Sequence, residues 1–301
     1  MNYEEFLEYV KDSVGKFMGD DFTVHLNKVF KDNGLELTGL VIREKSRNTA
    51  PTIYLEGLYY EYCKGMEMGD VINKIIQVYE ENCNKLEMNF EQFADYEWMK
   101  PRVLYRLVNY DANEKMLQDL PHKRYMDLAM VFFIIFEHDV VGDGIISIHN
   151  KHMELWGVDV EELCARAMEN TQRILPYRFS CIEHAMEAIL KSESSEDVLD
   201  NDVTSKDNMY VLTNTRKIFG AAVLLYDNML KKIANKVKDD FYIVPSSLHE
   251  VIIIPKKTFP HEKEDLKEMI QNVNKEEMQL QDILSDCIYE YDCEKEEILW
   301  E

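Results

Sequence analysis

The sequence predicts an α+β protein of mainly antiparallel sheets with helices packed on them, in two domains or subdomains. Three observations carry this. Apolar residues recur at spacings of three and four in some stretches, which marks amphipathic helices. In others they alternate around turn signals, which marks hairpins. Finally, no regular strand–helix–strand period and no fixed-length repeat runs through the 301 residues, which argues against a parallel doubly wound sheet.

The elements follow in order. Tyr3, Phe6, Leu7, Val10, Val14, Phe17 and Met18 share one face and predict a helix over 3–18. Phe22 to Phe30 and Leu35 to Arg43 predict two strands joined at Asp32-Asn33-Gly34, and Pro51 to Leu55 a short third. Met68, Val71, Ile72, Ile75, Ile76 and Tyr79 predict a helix over 68–84. Val103 to Val108 reads as a strand and 111–118 as a short helix. The apolar run Ala129 to Phe136 has no periodicity to decide its type, but Gly142-Asp143-Gly144 followed by Ile145 to Ile148 makes it one arm of a hairpin. Asp159 opens a helix running to about Arg173, and a further short helix is expected over 181–190. Met209 to Thr213 and Phe219 to Tyr226 read as strands, 227–237 as a helix, and Phe241 to Val244 with Leu248 to Ile254 as a hairpin turning at Pro245-Ser246-Ser247. A helix over 263–274 and strands at 287–291 and 298–300 complete the chain.

Residues 192–208 hold six acids, one lysine and few apolar residues, so they read as an acidic loop or linker. This divides the chain into an N-terminal region 1–191 and a C-terminal domain 209–301. The acidic start shows no secretory pattern, and no apolar run approaches the ~20 residues of a membrane-spanning helix, so a soluble cytoplasmic protein is expected. The six cysteines show no zinc-like spacing and read as thiols of a reducing compartment.

Fifty-seven acidic against 34 basic residues give a net charge of −23. So large an excess disfavours nucleic acid and anionic membranes as partners, since both need cationic surface. The exception is 209–260, where Arg216, Lys217, Lys231, Lys232, Lys236, Lys238, Lys256 and Lys257 outnumber Asp227, Asp239, Asp240 and Glu250. Two readings compete: the cations dock on the protein's own acidic 261–301 stretch, or they form an anion or partner site with Asn214, Arg216, Lys231 and Lys232.

Catalytic and cofactor motifs are missing from the sequence. No P-loop, H-E-x-x-H or G-x-S-x-G string occurs, and no cofactor is implied. His138, His149, His152 and Glu154 gather near one predicted hairpin, but their spacing fixes no tetrahedral set, so no metal site is expected. His184 and Glu187 read as a helix-surface pair. Pro245-Ser246-Ser247-Leu248-His249-Glu250 is the most chemically suggestive segment. On a strand His249 points with Ser247 and away from Glu250, so a hydrolase using Ser246, Ser247 and His249 would need a distant acid. The leading expectation is a non-enzymatic protein that binds a protein or small-molecule partner, with such a hydrolase as the alternative and an acidic nucleic-acid mimic third.

Several strings resemble a known family. They are Leu37-Thr38-Gly39-Leu40 with Ala50 to Leu55, Tyr105 to Tyr110, Met209 to Asn214, Asp240 to Glu250, and Leu284-Ser285-Asp286. In order and across nearly the whole chain, they resemble domain of unknown function 5688, from anaerobic Gram-positive gut bacteria. More loosely, the pattern from 219 onward resembles domain of unknown function 1444. The resemblance implies a cytoplasmic bacterial protein and brings no activity or site residues.

Overall fold

The computed structural model describes residues 1–47, 50–83, 90–136, 144–182, 209–245, 247–259, 263–276 and 278–300. They group into two compact units, one of Met1–Asp95 with Phe136–Gly144, the other of Tyr96–Ile135 with Ile145–Glu301.

The first unit follows the order α1 (Tyr3–Met18), β1 (Phe22–Phe30), β2 (Glu36–Glu44), β3 (Thr52–Tyr54), α2 (Glu56–Cys63), α3 (Met68–Cys83) and α4 (Phe90–Ala94). Asn2 caps α1 by accepting the Glu5 N–H at 2.9 Å, and the Glu5 carboxylate accepts the Asn2 N–H in return. Such a reciprocal cap is worth about 1 kcal/mol. The turn at 32–34 works because Asn33 adopts φ 59°, a left-handed conformation that asparagine tolerates. The antiparallel β1–β2–β3 sheet buries Leu40, Ile42 and Ile53 against Phe6, Val10 and Val14 of α1 and Val71 and Ile75 of α3. Helix, hairpin and helix thus stand where the apolar spacing expects them; α2 is an addition.

The second unit contains two sheets. One joins β4 (Val103–Asn109), β5 (His122–Tyr125), β6 (Leu128–Phe136) and β7 (Gly144–Ser147) in the order β4-β6-β5, with β7 also on β6. Around it lie α5 (Tyr96–Met99), α6 (Glu114–Leu117), α7 (Asn150–Trp156) and α8 (Val160–Ile174). Ala129 to Phe136 is therefore a strand, and its inner residues from Ala129 through Ile134 are all buried. A strand covered on both faces has no alternation to read.

The other sheet has six strands in the order β13-β12-β10-β11-β9-β8. These are β8 (Tyr177–Cys181), β9 (Tyr210–Asn214), β10 (Phe241–Val244), β11 (Val251–Pro255), β12 (Tyr289–Asp292) and β13 (Glu297–Leu299), with helices α9 (Met229–Val237) and α10 (Lys263–Glu276) between them.

Two expectations are corrected. Phe219 to Tyr226 is not a strand: Gly220–Leu225 is a 3₁₀ helix, because Phe219 turns the chain at φ 48° and the following small residues pack tightly. A Cβ on Gly220 would lie 2.1 Å from Thr213 Oγ1 and 2.2 Å from the His249 carbonyl oxygen. Nor does 192–208 divide the sheets: β8 before it pairs with β9 after it, from Tyr177 opposite Asn214 to Cys181 opposite Tyr210. The 192–208 stretch itself, most of the helix expected over 181–190, His138, His184, Glu187 and Ser246 lie outside the described residues.

Candidate functional site

The expected site residues serve local structure. Ser247 is buried, and its Oγ accepts the backbone N–H of His249 at 3.0 Å, so its hydroxyl oxygen engages the main chain of His249. The His249 ring lies 5.8 Å from the Phe219 ring and nearly parallel to it, and its Nδ1 accepts the Phe219 N–H at 3.4 Å. That bond puts the neutral imidazole's proton on Nε2, which faces Asp282 Oδ1 at 3.9 Å. Both ring nitrogens are thus directed at groups other than Ser247. Phe219 also carries the Arg106 guanidinium 4.7 Å from its ring centroid and meets Phe133 edge-on.

Asn214 is fully buried and closes the 214–218 loop: its Nδ2 donates to the Ile218 carbonyl, and its Oδ1 accepts the N–H groups of Arg216 and Ile218. Lys231 pairs with Glu296 at 2.5 Å, and Lys256 pairs closely with Glu290. Two of the cations of 209–260 therefore dock on the acidic C-terminal stretch. Lys232 lies over the Tyr177 ring at 5.8 Å. Asn214 and Arg216 line neither of the two hollows described below, both of which include Lys231.

The second unit also contains a hollow with a mixed apolar and polar lining. A cavity of about 710 Å³ lies among β5, α8, the 3₁₀ turn with the start of α9, and the β12–β13 hairpin. Met130, Cys164, Met168, Leu224 and Met229 form apolar walls, with Tyr291, Ile298 and Trp300 from the hairpin. Cys164 Sγ and Met130 Sδ are 3.7 Å apart, and both residues are buried. Lys123, Arg124, Tyr125, Asp227, Lys231 and Glu296 supply the polar lining. Composition hid this site: methionines at 130, 168 and 229 are far apart in sequence and read singly as core. The one available signal was Lys123 and Tyr125, polar groups on alternate positions of an unrecognised strand.

A neighbouring polar hollow of about 570 Å³ includes Asp239, Asp240, Asp292 and Cys293. Its carboxylates already accept backbone N–H groups: Asp239 from Lys257, Asp240 from Cys293, Asp292 from Glu294 and Lys295. Burial, with Asp240 beside it, pushes the Cys293 thiol up to about 11, so it stays protonated at neutral pH. Among the described residues no group of three or more His, Cys, Asp or Glu is arranged to hold a metal.

A polar clasp completes the unit. Asp127 accepts hydrogen bonds from the hydroxyls of Ser285 and Tyr289, both at 2.5 Å. Asn109 Nδ2 donates to the Leu284 carbonyl, and the Ser285 N–H to the Pro245 carbonyl. Segments quoted above for their family likeness, 105–110, 240–250 and 284–286, are thereby bonded to one another.

The model of the Family of unknown function (DUF5688) matches residues 3–293. The chain belongs to that family. No curated protein and no solved structure matches the chain. DUF5688 membership spans both compact units, and it assigns no chemistry to either. No helix among the described residues is long and apolar enough to cross a membrane.

Proposed function

We propose that this DUF5688 protein is a non-enzymatic, cytoplasmic bacterial binding protein that takes a small, partly apolar ligand in the cavity of its second unit. The observation that carries this is the cavity itself. At about 710 Å³ it falls within the ~300–1,000 Å³ of ligand pockets, and it joins apolar walls to a few polar groups as such pockets do. Residues Leu224 to Lys231 of the cationic 209–260 segment supply one wall. The hydrolase reading draws no support from Ser247 and His249, whose hydroxyl oxygen and Nδ1 are both taken by backbone N–H groups.

Thermal unfolding of the full chain against a panel of bacterial metabolites, with native mass spectrometry of any hit, tests the reading. A ligand is expected to raise the midpoint by several degrees, as stabilisation of about 2.7 kcal/mol accompanies a hundredfold excess over Kd. Met168→Trp, which fills the cavity, is expected to abolish that shift. A shift that survives Met168→Trp, or no hit in the panel, overturns the proposal.

A further inference from the structure

We infer that the ligand is a linear aliphatic carboxylate, its head held between Lys123 and Tyr125 and its chain lying along Met130, Met168 and Leu224. The inference rests on the cavity being the binding site, and it adds the chemistry of what enters.

The head group follows from β5. Alternate residues of a strand point to opposite faces. His122 and Arg124 share one face, where both meet the Tyr110 ring, the imidazole at 6.0 Å and the guanidinium at 4.2 Å. Arg124 Nε also donates to the Met126 carbonyl at 3.0 Å. Arg124 also borders the cavity, but its guanidinium is held over the Tyr110 ring and its Nε is bonded to the Met126 carbonyl, so Lys123 is the cation on the Tyr125 face. Lys123 and Tyr125 share the other face, and Lys123 stands opposite Met130 in register, on the cavity side. Lys123 is exposed and Tyr125 half-buried, and among the described residues neither the Lys123 ammonium nor the Tyr125 hydroxyl has an ion-pair or hydrogen-bond partner. Burial pushes the Tyr125 phenol above its ordinary range, so it remains an O–H donor at neutral pH.

One ammonium and one hydroxyl make a pair of donors with a single positive charge. A carboxylate matches them with two oxygens and one negative charge. A phosphate monoester, carrying nearly two charges, would leave one unmatched beside Asp227 and Glu296, since Lys231 is already paired with Glu296.

The tail follows from the walls. Methionine is unbranched and polarizable and fills irregular gaps, so walls built from Met130, Met168 and Met229 accommodate a flexible aliphatic chain better than a rigid ring system.

Isothermal titration of the full chain with decanoate, decanol and decyltrimethylammonium, each below its micelle concentration, tests the assignment. Decanoate is expected to bind, decanol at least tenfold more weakly, and the cation not at all. Lys123→Met and Tyr125→Phe, each melting like the parent, are expected to weaken decanoate about tenfold or more and to leave decanol unchanged. Met168→Trp is expected to remove both. Equal affinity for decanoate and decanol overturns the head-group assignment while leaving the cavity as the site. No binding of any of the three, with a metabolite hit from the panel that Met168→Trp abolishes, overturns the ligand class alone. Decanoate binding unaffected by Met168→Trp overturns both the assignment and the site.

Discussion

At the scale of single residues, two positions are fixed by their surroundings. Gly220 lies against Thr213 and the His249 carbonyl, which the Thr213 hydroxyl itself bonds at 2.7 Å, so a methyl group there has nowhere to go. Gly220→Ala is expected to destabilise the protein by about 2–3 kcal/mol, measured by urea unfolding, because the contacts are to backbone and a β-branched side chain and not to a flexible tip. His152 is the second. Its Nδ1 accepts the His149 N–H at 3.1 Å, its ring packs 5.9 Å from Trp156, and burial together with the adjacent His149 holds its pKa below the ordinary imidazole value. Asp119, bonded to His149 Nδ1 at 2.7 Å, opposes that shift only in part. The unfolded chain then binds a proton at His152 near pH 6.5 before the folded one does, so stability is full above that pH and falls as the pH drops through it. In His152→Gln, whose amide oxygen can still accept the His149 N–H, the decline between pH 7 and pH 5 is expected to be shallower. An unchanged slope would show that other groups dominate acid sensitivity.

At the scale of elements, the 3₁₀ turn Gly220–Leu225 shows how tertiary contacts select a conformation. The Tyr105 hydroxyl donates to the Ala222 carbonyl at 2.9 Å, and the Tyr226 hydroxyl to the Leu175 carbonyl at 2.7 Å. Both phenols are buried, and burial raises both pKa values far enough that they stay protonated donors. Tyr105→Phe leaves the Ala222 carbonyl without this partner and is expected to cost about 1–3 kcal/mol in thermal unfolding. A continuous apolar run such as Phe219 to Tyr226 gives no period from which to foresee this, whereas helix α1 and the β1–β2 hairpin repeat their apolar residues at the period of one solvated face. For the same reason α8, opened by Asp159 accepting the Glu162 N–H, was legible to its first turn. Strand β8 was legible in principle, since Tyr177, Phe179 and Cys181 alternate with Arg178 and Ser180 directly after Pro176. It was hidden by its shortness and by the acidic stretch that follows.

For the molecule as a whole, charge and connectivity decide what the sequence could and could not disclose. The cationic segment within a chain of net charge −23 marked a real arrangement, because Lys231 and Lys256 meet Glu296 and Glu290 of the acidic end. The cavity was not legible, since its walls come from five separated stretches that only the packing of two sheets brings together. The paired β8 and β9 also make residues 209–301 incomplete without Tyr177–Cys181. That fragment expressed alone is expected to lack a cooperative thermal transition, its β9 edge having lost a neighbour and Tyr226 its acceptor on Leu175. A sharp transition in the isolated fragment would contradict this. The same pairing has a consequence for covalent continuity. Cys181 lies opposite Tyr210, and Ile182 donates to the Met209 carbonyl, so both ends of the intervening chain are held by the sheet. A protease site engineered within 192–208 should therefore yield two polypeptides that run separately on a denaturing gel but migrate as one native particle. Mixed from denaturant, they should reassemble by complementation, as the two halves of one interrupted sheet.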